Sequence, residues 1–563
     1  MSFYGLPPAG HLQFPLVAIR KLLVANRGEI AVRVFRTCRD LGIETVAVVA
    51  PDDAGALHGR VAGETVGIAG YLHSEEHIRA AKATGADAIH PGYGFLAENA
   101  EFAEGVEAAG LTWVGPSPEA LRLGGDKLEA KRIAREAGVP VLPDGPPGEI
   151  GFPLVVKAAA GGGGRGMRVV RSAAELDEAS AAAGREAAGA FGDGTLYYER
   201  YLERPRHVEV QLLADSHGNV LALGERDCSI QRRHQKVLEE APAPDLSSHL
   251  RATLHEAAVA FGRAIGYRGA GTVEFVLDGG ELFFLELNGR IQVEHPVTEA
   301  VTGLDLVAEQ LRVAAGEALV AQSHKVEGHA VEVRLYAEDP RTFLPQTGRI
   351  ERLVLPSNSL VHGSAHGIRA DSGVEEGDEI GLAYDALLAK LIAHGRDRAE
   401  ALERLARALA ETEISGVTTN LPFLRWLVAH PVVRAGEATT AFLVENPALS
   451  PAPTLRAPDP WRRPWRLNLP APPPASPPDV DEAALAHGPA HAGSTVTAPM
   501  PGTVIRVEVE EGAEVQARHA LVVLEAMKME IPVHSPFPGT VTAVHVAPGD
   551  RVAGGALLVE LES

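Results

Sequence analysis

Cysteine is nearly missing: Cys38 and Cys228 are the only two among 563 residues, too few for a disulfide framework and suited to a reducing compartment. Nowhere do about 18 apolar residues run uninterrupted, the length a membrane-crossing helix needs. Met1 to Arg20 also lacks the charged start and apolar run of an export signal. The expectation is a soluble cytoplasmic chain whose residues 1–20 are a loose extension. Positive charge is short too, with 52 Lys and Arg against 74 Asp and Glu and a formal charge of -22. Such a balance repels polyphosphate backbones, which sets nucleic acid aside as a partner; the lack of a long apolar run sets membranes aside. A Gly-Lys-Ser/Thr signature is absent, which excludes a Walker nucleotide loop. What remains is ordinary globular composition, 45% hydrophobic and 22% charged, at a length that implies several domains.

Near the C-terminus the chain repeats itself. Pro501-Gly502-Thr503-Val504 recurs as Pro538-Gly539-Thr540-Val541, and Val507, Val509, Gly512 and Val515 are answered by Val544, Val546, Gly549 and Val552, always 37 residues on. Each half alternates apolar and polar residues between glycine-marked turns, as half-buried strands do. Two such halves bury their valines against each other, which predicts a small two-fold β-sandwich. At the midpoint stands Glu525-Ala526-Met527-Lys528-Met529, which places Lys528 at the connection between halves, on a hairpin tip. An ordinary exposed lysine beside two gap-filling methionines would look the same in isolation. In its pseudo-symmetric setting the run resembles biotinyl and lipoyl carrier domains, and methionines on both sides of the lysine match the biotinyl kind.

Ordered structure is expected to begin with the buried-strand run Lys21 to Asn26, then Arg27-Gly28-Glu29 and a helical pattern through Ile30, Val34 and Cys38, then a strand from Glu44 to Ala50. This rhythm argues for a doubly wound α/β domain with its working edge at the strand C-termini. The glycine turn His90-Pro91-Gly92-Tyr93-Gly94-Phe95 falls at that edge. A second domain opens near Gly125-Asp126-Lys127. In it, the strand Pro153 to Lys157 runs into Gly161 to Gly166, and Met167 to Val170 reads as another strand. Glycines let backbone amides approach phosphate oxygens, and Lys127 and Lys157 can add positive charge. The pattern suits a lid hairpin folding over ATP.

A metal site follows from strand geometry. In Thr272 to Leu277 the odd positions are apolar and Glu274 points to the other face; in Leu282 to Asn288, Phe283, Leu285 and Leu287 form the apolar face and leave Glu286 and Asn288 opposite. The Asp278-Gly279-Gly280 turn makes these a hairpin that brings Glu274 and Glu286 level to within about a residue. Two carboxylates and an amide oxygen suit Mg²⁺ or Mn²⁺ bridging nucleotide phosphates.

Flanking stretches, Glu225 to Lys236 before the hairpin and Gly289 to Pro296 after it, set cations and bases beside the phosphates. With these in view, residues 21 to about 446 resemble biotin carboxylase, an ATP-grasp enzyme, almost without interruption. The resemblance implies a Rossmann-like part at 21–125, an ATP-grasp part at 126–325 with its lid at about 140–215, and an α+β part at 326–446. A Pro/Ala-rich linker at 447–493 and the all-β carrier at 494–563 complete the chain. It implies that Lys127, Lys157, Gly163, Gly164, Glu199, Leu202, His207 and His234 surround ATP, and that Glu274, Glu286 and Asn288 hold the metal. Lys236, Arg290 and the Val293 N–H would hold bicarbonate, Glu294 would be the general base, and Arg290 and Arg334 would stabilise the biotin enolate. The implied reaction is ATP- and bicarbonate-dependent carboxylation, via carboxyphosphate, of biotin on Lys528.

Three positions depart from the family pattern: Gly289 where threonine is common, loosening the backbone beside Arg290; Arg200 where lysine is frequent; and Ala386 after Asp385 where serine is frequent. Nucleotide affinity is the property expected to change. The region ending Thr419 to Leu424 looks more like acyl-CoA carboxylase α subunits of the propionyl or methylcrotonyl kind than like a stand-alone acetyl-CoA carboxylase component. No carboxyltransferase region is visible, so the implied partners are a separate carboxyltransferase subunit, a biotin protein ligase and, through the carboxylase part, a second copy or a larger hetero-oligomer. Larger α subunits place a docking β-barrel before the carrier. Here there are only about fifty proline-rich residues, among which Trp461 to Pro470 is the one stretch able to dock. As extended chain the tether reaches about 120 Å. Two other readings compete: a carrier or assembly subunit with a degenerate ATP site, and an ATP-grasp ligase for another acid with a lipoylated tail. The intact set from Glu274 to Glu294 argues against the first, and Met527 and Met529 against the second.

Overall fold

The computed structural model describes residues 19–159, 167–191, 193–232, 235–319, 325–356, 367–450, 495–526 and 529–562. Gly163, Gly164, His234, Lys528, nearly all of the N-terminal extension and most of the linker, Trp461 to Pro470 included, lie outside these. The chain forms two compact units: Met1–Arg341, Gly348–Glu379 and Leu387–Leu449 make one, and Thr342–Thr347, Ile380–Ala386 and Ser450–Ser563 the other.

The first unit opens with β1 (Lys21–Val24), α1 (Gly28–Asp40), β2 (Glu44–Val49), β3 (Glu64–Gly67), β4 (Ala88–His90) and β5 (Thr112–Trp113), whose strands form a parallel sheet in the order β3-β2-β1-β4-β5. Leu22 and Val24 of β1 pack with Ile30, Val34 and Cys38 of α1. Their spacing on the helix gives it one continuous apolar stripe. The turn after β4 is pinned from β1: Asn26 Nδ2 donates at 2.7 Å to both the Pro91 and Tyr93 carbonyls. Gly92 lies so close to Asn26 that a Cβ there would fall 2.8 Å from the amide nitrogen, and its φ of +64° is a glycine conformation.

Next come α2 (Lys127–Glu136), β6 (Leu154–Ala158), β7 (Arg168–Val170), α3 (Ala173–Phe191) and β8 (Leu196–Arg200). The three strands form an antiparallel sheet in the order β7-β6-β8. Leu154, Val156 and Val170 pack on Ala183 of α3, so β6 and β7 do form the expected hairpin arms.

An eight-stranded sheet is the backbone of the unit. It contains β9 (Arg206–Ala214), β10 (Val220–Arg232), β11 (Gln235–Ala241), β12 (Gly269–Asp278), β13 (Glu281–Asn288), β14 (His329–Tyr336), β15 (Gly367–Ser372) and β16 (Leu387–Gly395); α4 (His295–Thr302) follows β13. Strand order is β13-β12-β9-β10-β11-β14-β16-β15. On β9, Val208, Val210 and Leu212 enter the core with Val273, Phe275 and Phe284. Alternation therefore turns His207, Glu209 and Gln211 to the opposite face.

One expected face is corrected. Glu274 pairs with Glu286, but the register slips between Glu274 and Phe275, leaving Leu285 as an extra residue. Beyond this bulge Leu282 and Phe284 join the core. Phe283 and Leu285 instead pack with Leu142, Leu202 and Val276.

In the second unit two four-stranded sheets enclose the valines. One runs Thr495–Thr497, Leu557–Glu562, Gly539–Val544, Glu514–Val515, and the other Met529–His534, Ala520–Ala526, Gly502–Val507, Arg551–Val552. Adding the 37-residue repeat to one sheet's strands lands on the other's. Val504, Val515, Val541 and Leu558 form the shared core. Ala526 pairs with Met529; the hairpin tip expected at Lys528 lies outside the described residues.

Candidate active site

A single cross-strand row builds the site. Arg226 of β10 stands opposite Glu209 of β9, Glu209 opposite Glu274 of β12, and Glu274 opposite Glu286 of β13. Three carboxylates in line are tolerable only with cations among them. Arg226, fully buried, donates to Glu209 at 2.6 Å, Gln211 at 2.8 Å, Thr298 at 2.9 Å, Thr272 at 3.1 Å and Gln292 at 2.7 Å.

Lys236 of β11 is the second cation. Its ammonium donates to Glu274 and Glu294, each at 2.7 Å, and also to Glu209. Burial would lower its pKa, yet the three carboxylates raise it well above the ordinary lysine value. Burial likewise pushes Glu274 up, and Lys236 and His207, whose Nε2 lies 2.8 Å away, hold it well below the carboxylate range. Asn288 and Gln292 add amide donors to Glu274 at 2.8 and 2.9 Å.

Glu294, the N-cap residue of α4, is held between Lys236 and Arg334, which donates to it at 3.0 Å. Burial pushes its carboxyl up; Lys236, Arg334 and Arg226 overcome that and keep it ionised. Arg334 also donates to Glu239 at 2.6 Å. Arg290 is tied to Asn288 Oδ1 at 2.9 Å and to Glu98 at 3.0 Å. At Gly289, where loosening was expected, the N–H donates to Glu98 at 3.0 Å, and a Cβ there would meet Leu121 Cδ2 at 2.9 Å.

The residues expected around the nucleotide form a second cluster. Glu199 of β8 is fully buried and accepts from Lys157 of β6 and Lys131 of α2. Burial lifts its carboxyl, and the two ammoniums hold it below its ordinary value. Lys127 stands at the start of α2, its pKa lowered by burial against the pull of Glu286. Leu202 packs in a buried apolar cluster with Leu142, Val276, Phe283 and Leu285.

Glu286 is the acidic group left over. Burial and then the Glu274 charge raise its pKa, and no hydrogen bond or ion pair among the described residues reaches it. Facing hard oxygen donors of this kind fit a divalent cation such as Mg²⁺ or Mn²⁺. A further trio, His207, Glu209 and Glu274, also clusters tightly enough to ligate an ion.

Sequence reasoning passed over Lys131, Glu209, Gln292, Arg226 and Glu98 as site members. Lys131 lies four residues after Lys127, hence on the same helix face, and Glu209 alternates with His207 on β9. Gln292 and Arg226 lie inside stretches read as functional. Glu98 has no local signal.

Comparison with known proteins agrees with this architecture. Residues 18–121 match the family described as biotin carboxylase, N-terminal domain; 147–322 the carbamoyl-phosphate synthase L chain, ATP binding domain; 332–445 the biotin carboxylase C-terminal domain; and 494–561 the biotin-requiring enzyme family. The biotin carboxylase of Halalkalibacterium halodurans is 47% identical over 76% of this chain and 98% of its own length. A biotin-dependent acyl-coenzyme A carboxylase alpha3 subunit of Mycobacterium leprae is 43% identical over 92% of this chain and 94% of its own. Among solved structures, biotin carboxylase from Campylobacter jejuni superimposes with a TM-score of 0.74 at 41% identity, covering 76% of this chain and 99% of that one. The biotin carboxylase domain dimer of Hydrogenobacter thermophilus 2-oxoglutarate carboxylase, in complex with MgADP, ADP and bicarbonate, gives 0.73 at 44% identity, covering 76% and 98%. The fold and site define an ATP-grasp ligase. This chain belongs to the biotin carboxylase family, with a biotinyl carrier domain on the same polypeptide, and catalyses ATP-dependent carboxylation of biotin.

Proposed function

We propose that the acidic row and the Lys236–Glu294–Arg334 cluster perform the bicarbonate-activating half of this reaction, and that the acceptor biotin is carried on Lys528. The observation that carries the reading is Lys236, whose one ammonium bridges Glu274 of the metal pair and Glu294. ATP would lie against Leu202, with Lys127, Lys157, Glu199, His207, His234, Gly163 and Gly164 around it. Glu274, Glu286 and Asn288 would hold Mg²⁺ or Mn²⁺, which neutralises phosphate charge when bound.

Bicarbonate is an anion, and Lys236, Arg290 and the Val293 N–H supply its counter-charge. Sharing Lys236 with bicarbonate would weaken the strongest influence holding Glu294 ionised, which would raise the basicity of Glu294. Glu294 then takes the bicarbonate proton, a carbonate oxygen bonds to the γ-phosphorus, and the bond to ADP breaks. Carboxyphosphate divides into CO₂ and phosphate; phosphate would take the proton from the biotin N1, and the freed N1 electron pair would bond to the CO₂ carbon. Arg290 and Arg334 offer fixed positive charge to the ureido oxygen.

A separate carboxyltransferase subunit is the reading for the acceptor half, with an acyl-CoA of the acetyl, propionyl or methylcrotonyl kind as final substrate. A propionyl-CoA carboxylase alpha chain from Ruegeria pomeroyi, 47% identical, supports that class. A homodimer through the carboxylase part and a cytoplasmic location complete it, the latter supported by two buried free cysteines and by the lack, among the described residues, of a helix long and apolar enough to cross a membrane.

Bicarbonate-dependent ADP release by the biotinylated protein, with and without free biotin, tests the site. Turnover lost in Arg290→Ala supports it, and no turnover at full biotinylation overturns it in favour of a carrier. Streptavidin blotting of wild type against Lys528→Ala tests the attachment point.

A further inference from the structure

Lys390 belongs to none of the groups assigned above, yet it is fully buried and its ammonium reaches the loop of the anion site. It stands on β16 directly opposite Arg334 of β14. Its Nζ donates to the Val293 carbonyl oxygen at 2.7 Å and lies 3.2 Å from Glu29 Oε1. The same Glu29 oxygen accepts from the Tyr93 hydroxyl. Glu29 is in the first turn of α1, and Tyr93 belongs to the turn after β4 that Asn26 grips by its carbonyls. Gly373, just past β15, packs against the start of α1: a Cβ there would lie 2.5 Å from the Glu29 nitrogen.

A continuous polar line thus runs from the glycine turn through Tyr93, Glu29 and Lys390 to the peptide joining Val293 to Glu294. Burying an ammonium is costly unless it is paired, and Glu29 meets that need. The Val293 carbonyl gains more: a charge-assisted bond fixes the orientation of its peptide group. That peptide lies between the backbone N–H that faces the anion and the Glu294 side chain that takes its proton.

We propose that Lys390 is a positioning residue for the bicarbonate-holding loop, and that Glu29 and Tyr93 couple the placement of the 90–95 turn to it. The inference rests on the reading that Arg290, Val293 and Glu294 hold bicarbonate. It therefore predicts a selective defect, with weaker bicarbonate use and unaltered ATP use.

The test is initial-rate ADP release by the full-length biotinylated protein, varying bicarbonate and ATP separately, for Lys390→Met, Lys390→Arg, Tyr93→Phe, Tyr93→Phe with Lys390→Met, and Arg290→Ala. Lys390→Met is expected to raise the bicarbonate KM about tenfold with the ATP KM within about twofold, and Lys390→Arg to recover part of the loss. Tyr93→Phe should raise the bicarbonate KM about threefold alone and add nothing in the Lys390→Met background, as coupled residues do. Should Lys390→Met not fold, Tyr93→Phe, which removes one hydroxyl, decides by its own split between the two KM values. Equal changes in both KM values, no change in either, or full additivity in the double variant would overturn the proposal. If Arg290→Ala leaves bicarbonate use intact, the site reading itself fails; if Arg290→Ala abolishes it while the Lys390 and Tyr93 variants behave as wild type, only the positioning role fails.

Discussion

Glu332 and Glu199 are both buried carboxyls, and their surroundings send them in opposite directions. Glu199 has two ammoniums and stays ionised. Glu332 of β14 has two oxygens with no hydrogen-bond partner among the described residues, and it faces Glu239 across the strand pair. Burial pushes its pKa well above the ordinary value, Lys390 opposing and Glu239 reinforcing the shift. A carboxyl whose folded pKa lies above its unfolded one contributes stability that is complete below about pH 4.3 and lost as pH rises through the folded value. Glu332→Gln keeps the shape and cannot ionise, so its melting temperature should overtake that of wild type progressively from pH 5 to pH 9. A constant difference across that range would contradict the assignment. Lys131→Met makes the reverse experiment: it leaves Glu199 with one partner, costs about 3 kcal/mol of stability by uncovering a buried charge, and should raise the ATP KM more than the bicarbonate KM.

At the scale of elements, α2 shows how a cap can set a substrate site. The Asp126 side chain accepts from the Leu128 and Glu129 amides, each at 3.0 Å, and this N-cap fixes the turn from which Lys127 and Lys131 project. Asp126→Ala should cost about 1 kcal/mol of stability and raise the ATP KM about threefold, with bicarbonate kinetics unmoved; equal effects on both substrates would count against a local role. The β12–β13 hairpin was legible because its turn glycines and alternating Glu274 speak locally. Its bulge was not, because Leu282 to Leu285 is an unbroken apolar run, and a run without period cannot say which residue is the extra one. Lys131 and Arg226 escaped for a different reason. Their meaning lies in Glu199 and Glu209, partners brought to them only by the fold. The glycine run, by contrast, was read from its flanking strands, which β6 and β7 supply.

For the whole molecule, the decisive fact is that the largest apolar clusters of the two parts draw on different residues. The central clusters of the first unit draw only on residues between Ile19 and Leu319, and that of the carrier only on residues between Val496 and Leu561. The carrier's two sheets exchange under the 37-residue repeat, so each half supplies the apolar face the other requires. A chain cut after Leu449 keeps every residue assigned to ATP, metal and bicarbonate and loses only the tether and carrier. It should retain bicarbonate-dependent ADP release stimulated by free biotin, with an ATP KM within about threefold of the full chain. Labelled bicarbonate should no longer transfer to protein, and adding the separately expressed carrier, biotinylated, should restore that transfer at concentrations set by a bimolecular encounter rather than by a tether. Loss of ADP release on truncation would mean that the carrier is needed to form the site and not merely to visit it. Retained labelling of the truncated chain would mean that the carboxyl group rests on a residue outside the carrier, which would overturn Lys528 as the attachment point.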